Sequence, residues 1–303
     1  MNKLKVFLII IFLVLSPKII ICQWFDKQSL QSTVLLEKID NNNFLPHGTG
    51  FLLYNYKSPS DLIVVTCAHL LQGKQNISVR VNPDSSVLKI LQMEGQKIAI
   101  FRNALLLDNT VRFIVNIDST NHYIHPNLDI AAFFFRIPKL FQQTDSGKNE
   151  IRLTKLLSIP ISGMENREKL SIGDEVYFVG FPLGYGTTNY VEPIIRSGSI
   201  AWLPKDDKFY LLDAFSYGGN SGSPVFQKMI VGSKLGELSW NPPKLVGMVF
   251  GHQSIELENI LSQPKPNELK FETTNIDLNI GLAKCVYMDD IMYVIEKLKE
   301  KIK

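Results

Sequence analysis

The division of the apolar residues constrains this chain more than any other feature. Strand-like runs fill residues 32–39, 48–54, 61–67, 77–81, 96–102, 111–117 and 129–137, and again 175–181, 192–201, 208–213, 223–231, 244–250 and 278–287. Clusters of Asn, Asp, Gly and Pro bound them, as folds built from many short strands require. The polar stretch 138–170 reads as a connection between the two sets, and residues 253–275, with Gln263-Pro264-Lys265-Pro266-Asn267, read as a surface insertion. The tail alone has a helical pattern. Ile291, Ile295, Leu298 and Ile302 make one apolar stripe. Asp289 or Asp290 can cap the first turn, and the lysines suit the last. Docking of this helix on the second set of strands is expected. At 303 residues and 45% hydrophobic composition, the chain can fill two cores.

The chemistry is concentrated in three blocks. In Asp213-Ala214-Phe215-Ser216-Tyr217-Gly218-Gly219-Asn220-Ser221-Gly222-Ser223-Pro224-Val225 one serine sits among small residues, directly before a strand. A nucleophilic hydroxyl needs such a tight turn, with unobstructed N–H groups nearby to hold an oxyanion. Gly219 leaves its N–H accessible, and the N–H of Ser221 can point at the same spot. The hydroxyl also needs a base, and the base an orienting acid. Of the five histidines, His69 closes the buried-strand pattern Leu62-Ile63-Val64-Val65-Thr66-Cys67-Ala68. Asp129 heads the apolar run Ile130 to Phe135, where a carboxylate needs a partner. Asp118 is an alternative acid but lies in a turn composition. His122 and His125 read as loop residues rather than bases, and His47 has no assigned role. Cys67 is an alternative nucleophile, disfavoured because Ser221 has the oxyanion glycine.

Thr66-Cys67-Ala68-His69, Leu128-Asp129-Ile130-Ala131 and Gly219-Asn220-Ser221-Gly222-Ser223-Pro224 resemble the three catalytic blocks of trypsin-like (chymotrypsin-fold) serine proteases, in that family's order. Gly48-Thr49-Gly50-Phe51, Ile172-Gly173-Asp174 through Gly180-Phe181-Pro182-Leu183-Gly184, Arg196-Ser197-Gly198 and Gly281-Leu282-Ala283 extend the likeness, closest to the HtrA and glutamyl-endopeptidase type. The resemblance implies an all-β fold: two packed six-stranded antiparallel β-barrels with a C-terminal α-helix. The expected organisation is a signal peptide at 1–22, an N-terminal barrel at 23–140, a connection at 141–170, a C-terminal barrel at 171–287 and the helix at 288–303. His69, Asp129 and Ser221 are the implied triad, with Gly219 and Ser221 as oxyanion donors. The implied primary pocket is formed by Phe215, Ser216, Tyr217 and Gly218 and by the strand residues Val249 and Phe250, with His252 close by. The implied activity is peptide-bond hydrolysis through an acyl-enzyme. The other reading is a trypsin-fold binding module without catalysis.

Departures from that pattern carry expectations of their own. Asn220 stands where digestive relatives have an aspartate that pairs with a newly cut amino terminus, so activation by such an ion pair is not expected. Cys67 cannot make the family's common disulfide. Phe215 stands at the acidic pocket position of trypsin, and Val249 where glutamyl endopeptidases place a histidine. Neither Arg/Lys nor Glu preference is therefore supported, and small or apolar residues are the expected choice. No PDZ domain, the usual HtrA companion, is expected after the protease unit. An α/β-hydrolase is disfavoured, because Ser223 breaks G-x-S-x-G and the order of the blocks is wrong.

Lys3 and Lys5 followed by the apolar run Val6 to Leu15 read as an export signal with cleavage near Cys22, or else as an uncleaved anchor. That run is too short to span a bilayer. Export, secreted or periplasmic, is the expected destination. Without Lys3, Lys5 and Lys18, basic and acidic residues balance, which argues against nucleic-acid partners. The partners expected are protein or peptide substrates. No cofactor and no metal is called for. Cys67 and Cys285 lie in apolar contexts and read as buried free thiols.

Overall fold

The computed structural model describes residues 27–301, apart from 42, 55–60, 86–98, 102–103, 108, 138–139, 145–146, 152–153, 155, 229–230, 235–236, 241–242 and 261–272. The export segment at 1–22 and Ile302 lie outside the described residues. After a short helix α1 (Lys27–Gln31), the first β unit holds β1 (Thr33–Asp40), β2 (Asn43–Tyr54), β3 (Asp61–Thr66), β4 (Asn76–Val81), β5 (Ala99–Phe101), β6 (Ala104–Leu107), β7 (Thr110–Asn116), β8 (His122–Ile124) and β9 (Ala131–Arg136). They form one antiparallel sheet in the order β5-β6-β7-β4-β1-β2-β3-β9-β8. This corrects the expectation of a six-stranded closed barrel for this half: the sheet has nine strands, and no ladder joins β5 to β8 among the described residues. The extra strands are short segments, such as His122–Ile124, whose composition carries little strand signal. A four-residue helix, α2 (Ala68–Leu71), follows β3.

The stretch read as a connection contains a hairpin, β10 (Leu140–Thr144) and β11 (Gly147–Ile151). The second unit is the expected closed barrel. Its strands β12 (Glu175–Gly180), β13 (Ile194–Trp202), β14 (Phe209–Asp213) and β15 (Pro224–Gln227) are joined, after the small hairpin β16 (Val231–Lys234)/β17 (Glu237–Trp240), by β18 (Lys244–Ile260) and β19 (Thr273–Tyr287). They close as β12-β13-β14-β19-β18-β15.

Within the stretch read as a surface insertion, the described residues 253–260 and 273–275 are strand. Strands β18 and β19 stay paired beyond the barrel register, from Ser254↔Asn279 out to Ile260↔Thr273. The alternations Ile255-Glu256-Leu257-Glu258 and Asn275-Ile276-Asp277-Leu278 have the period of a strand. The Pro-Lys-Pro segment between them is what gives the stretch the composition of an insertion.

The chain closes with α3 (Met288–Glu300). Its expected docking on the second unit needs correction, because the helix lies against β8 and β9 as well as β18 and β19. Ile291, Val294, Ile295 and Leu298 are buried in the same core as Phe133, Ile130 and Val64 of the first unit and Leu245, Met248 and Val286 of the second. An apolar stripe of this width faces a core, and both units contribute to that core. Tyr287 takes the N-cap position without a side-chain cap. Asp289 in the first turn accepts the Arg167 N–H at 3.0 Å, and Lys301 beyond the last turn donates to the carbonyls of Ser119 and His122 at 3.0 and 2.8 Å. The helix thereby ties down the loop that follows β7.

Polar links join the two units elsewhere. Glu37 is buried and is matched by Arg112 at 3.0 Å, Arg80 at 3.4 Å and the Ser78 hydroxyl at 3.0 Å. A buried carboxylate persists only with such partners. The Arg80 guanidinium also donates to the Thr188 carbonyl at 2.9 Å, and the Asn82 amide brackets the Val191 backbone at 2.7 Å in both directions. The first sheet thus holds the segment that leads into β13.

Candidate active site

The site lies where β2, α2 and the β14–β15 loop converge. Strand β3 is buried from Leu62 to Thr66 between β2 and β9, so its last residues are fixed in register: Thr66 faces Ala131 and Val65 faces Ala132. His69 follows three residues after Thr66, and Asp129 precedes Ala131 by two. The shared ladder therefore delivers a histidine and an aspartate, sixty residues apart in sequence, to one edge. The Asp129 carboxylate takes two hydrogen bonds from the same residue: the His69 backbone N–H donates to Oδ1 at 2.9 Å, and the ring Nδ1 meets Oδ2 at 2.6 Å. A carboxylate gripped at both oxygens holds the ring plane as well as its distance. The histidine side chain is 44% exposed and the aspartate 26%, so the imidazole presents an open edge to solvent.

The other candidate acid is otherwise employed. Asp118 accepts the N–H groups of Thr120 and Asn121 in its own turn at 2.8 and 3.2 Å, and the Thr120 hydroxyl at 2.5 Å. These bonds hold its carboxyl below the usual carboxylate range. His122 donates through Nδ1 to the Asp118 carbonyl, in that same turn. His47 lies beside Leu70, and burial, followed by the charges of Lys74 and His69, lowers its pKa.

The segment from Gly218 to Ser223 is stitched to both units. Much of its backbone is engaged: Leu183 N–H donates to the Gly218 carbonyl at 2.6 Å, Thr49 N–H to the Ser221 carbonyl at 2.9 Å, and Gly222 N–H to the Val249 carbonyl at 2.8 Å. The Thr49 hydroxyl donates to the Gly219 carbonyl at 2.7 Å, and Thr66 donates to the Thr49 carbonyl at 2.7 Å. Gly219 needs to be glycine. Its φ is +93°, and a Cβ there would lie 2.2 Å from the Phe181 carbonyl oxygen. Gly222, at φ +90°, would press a Cβ to 1.8 Å from the Thr49 carbonyl oxygen. Against this backbone economy, the N–H groups of Gly219 and Ser221 donate to no group among the described residues. Two unpaired donors, separated by one residue on a turn that glycine holds at positive φ, are what an anion-accepting site requires. Ser221 sits against the same elements as His69: a Cβ on Gly48 would touch both Leu70 Cδ1 at 2.4 Å and the Ser221 carbonyl at 3.2 Å. No hydrogen bond joins the Ser221 hydroxyl to the imidazole among the described residues.

Asn220 is fully buried, and neither of its amide atoms, nor the buried Ser223 hydroxyl, has a partner among the described residues. Both lie over Gly180, where a Cβ would meet Ser223 Oγ at 2.0 Å and Asn220 Oδ1 at 3.2 Å.

The residues expected to form a pocket wall differ in their surroundings. Ser216 is buried, and its carbonyl accepts the Asn279 amide at 2.5 Å. Phe215 and Tyr217 on either side are exposed and stack nearly parallel, 9° apart with centroids at 6.3 Å. Arg196 lies over the Tyr217 ring at 5.1 Å. Val249 is buried and acts through its carbonyl, which accepts from Gly222 and, at 3.5 Å, from the Cys67 thiol. Phe250 stands at a bulge in β18, and its ring meets Phe209 edge-on at 6.0 Å, toward the barrel's flank. Strand β18 carries His252 onward to face Ala283. Thr49, Thr66 and Leu183, which the sequence places in the resembling blocks without an individual role, hold the turn. Their threonine hydroxyls within Gly48-Thr49-Gly50 and Thr66-Cys67 were the available signal.

Cys67 and Cys285 are both free and buried. Burial pushes the Cys67 thiol well up, with the Asp129 charge adding to it, so this sulfur is held as a thiol rather than a nucleophilic thiolate. Cys67, His69 and Asp129 bring one sulfur, one nitrogen and one oxygen within 4.8 Å of one another. The 2.6 Å ring–carboxylate bond already accounts for two of these donors. Among the described residues no helix is long and apolar enough to cross a membrane.

The profile of the trypsin-like peptidase domain family matches residues 48–230. Solved structures similar to the chain include the HtrA-type protease AlgW with a tripeptide, at 13% identity and a TM-score of 0.47, covering 89% of this chain and 61% of that one. AlgW with a decapeptide is similar at 12% identity and a TM-score of 0.47, covering 90% of this chain and 66% of that one. The chain thus spans less than two thirds of the length of these structures. No curated protein matches it.

Proposed function

The chain belongs to the trypsin-like peptidase domain family, and on that premise we propose that it is a serine endopeptidase in which Ser221 attacks the scissile carbonyl. His69 takes the hydroxyl proton through Nε2, and Asp129 accepts from Nδ1–H and so fixes the tautomer that leaves Nε2 free. The carbonyl oxygen, becoming an oxyanion, is held by the N–H groups of Gly219 and Ser221. As the tetrahedral adduct collapses, the C–N bond breaks and His69 returns the proton to the leaving amine. Water, activated by the same imidazole, then releases the acyl group. The observation that carries this reading is the doubly gripped Asp129–His69 pair, 2.6 Å at the ring, beside two unpaired N–H groups. Contact between Ser221 and His69 is expected to tighten when substrate arrives, as catalytic hydrogen bonds commonly do.

A fluorophosphonate separates this reading from a binding module. An active site of this design labels covalently at Ser221, located by peptide mass mapping, and an unlabelled Ser221 in folded protein refutes the assignment. The oxyanion donors have their own test. Gly219→Ala must move the turn, because the added carbon meets backbone rather than a flexible side chain. Loss of one oxyanion donor costs about 10²–10³ in kcat, so steady-state kinetics of this variant should fall by at least that much. Wild-type kcat would remove Gly219 from the mechanism.

A further inference from the structure

We propose that His125 is a positioning residue: its unprotonated Nδ1 holds the turn that seats Asp129, and protonation of this side chain in mild acid loosens that seat and slows turnover. The inference rests on the role given to Asp129 above. Between β8 and β9 the chain reverses over six residues. The His125 N–H donates to the Ile130 carbonyl at 2.9 Å, and Ile130 N–H donates to Leu128 at 2.8 Å. Inside this loop the His125 ring nitrogen Nδ1 accepts two backbone bonds, from Asn127 N–H at 3.1 Å and Leu128 N–H at 3.0 Å. Asn and Asp side chains close turns in this way, accepting from the backbone two and three residues on. A histidine in that place does the same work only while Nδ1 keeps its lone pair. Asp129 is the next residue after the second of these donors.

The ring is held from outside by α3. Tyr293 packs edge-on against it at 5.3 Å. The charged groups that face it are Asp290 from the same helix, which favours the proton, and Lys208 from the segment before β14, which opposes it. Burial is the largest influence, and it lowers the His125 pKa from 6.5. The ring is therefore neutral at pH 7. A group with a depressed folded pKa contributes stability that is complete above its unfolded value and is lost as pH falls through the folded one. Below that point Nδ1 carries a hydrogen that faces two N–H donors, and both turn bonds are broken together.

The test compares parent, His125→Asn and His125→Ala in kcat against pH with a peptide substrate, alongside amide exchange at Asn127 and Leu128 followed by NMR. Asparagine can accept both bonds without titrating, so His125→Asn should keep kcat at pH 7.5 within about twofold of parent and lose less activity in acid than the parent, the loss common to both being protonation of the His69 base. Alanine leaves the turn unheld and should lower kcat roughly ten- to a hundredfold, with KM little changed. Exchange protection of the two amides should fall in acid in the parent and persist in His125→Asn. Superimposable acid limbs for parent and His125→Asn, or full kcat in a folded His125→Ala, overturn the inference. Acid-sensitive protection in a parent protein that hydrolyses nothing supports the turn and defeats the peptidase reading instead.

Discussion

Purified Ser221→Ala protein will unfold at the parent temperature and hydrolyse peptide bonds at least about 10⁴-fold more slowly. Both halves of that expectation come from the loop. The Ser221 carbonyl accepts the Thr49 N–H at 2.9 Å, and this bond belongs to the backbone, so alanine keeps it. The hydroxyl accepts and donates nothing within the described protein, so its loss leaves no orphaned partner. Oxyanion donors and substrate binding survive, and alone they sustain only the residual catalysis typical of a triad stripped of its nucleophile. Parent-like turnover of casein or a peptide library by this variant would place the nucleophile elsewhere.

Asp129→Asn is expected to lower kcat by on the order of 10⁴ at neutral pH while the fold persists. Asp129 accepts from two donors of His69, the backbone N–H at 2.9 Å and the ring at 2.6 Å. An amide has one acceptor oxygen. If that oxygen keeps the backbone N–H, the NH₂ group faces Nδ1, which must then accept. The ring proton moves to Nε2, where it blocks proton transfer from Ser221. The size and shape of the side chain are unchanged, so thermal unfolding should shift little. A loss smaller than about tenfold would show that ring orientation does not depend on this carboxylate.

Much of the architecture was legible because it rests on local pattern. Buried strands such as Leu62 to Thr66 and Val176 to Gly180 are unbroken apolar runs, and the amphipathic tail has one stripe. What misled was composition standing in for pattern. The Gln263-Pro264-Lys265-Pro266 segment masked two alternating strands on either side of it, and the polar 138–170 stretch hid the hairpin of β10 and β11. The number of strands in the first sheet depends on pairings such as Tyr123↔Ala132, which no local signal announces. At the site, the nearness of His69 and Asp129 follows from β3 and β9 sharing one ladder. The supporting groups were less visible. Thr49 and Leu183 act through bonds to Gly219 and Gly218, more than thirty residues away in sequence, and only the closed structure shows them. The docking of α3 on both units is not legible for the same reason: a stripe states that it will be buried and not against what.

The placement of α3 has a consequence in time. This helix lies C-terminal to every other described element, yet Tyr293 and Lys301 brace the β7–β9 region from which Asp129 projects. On the ribosome, chain growth delivers His69, Asp129 and Ser221 well before their brace. A nascent polypeptide can therefore carry all three groups while their support is still unsynthesised, so the final placement of Asp129 waits on the synthesis of the helix.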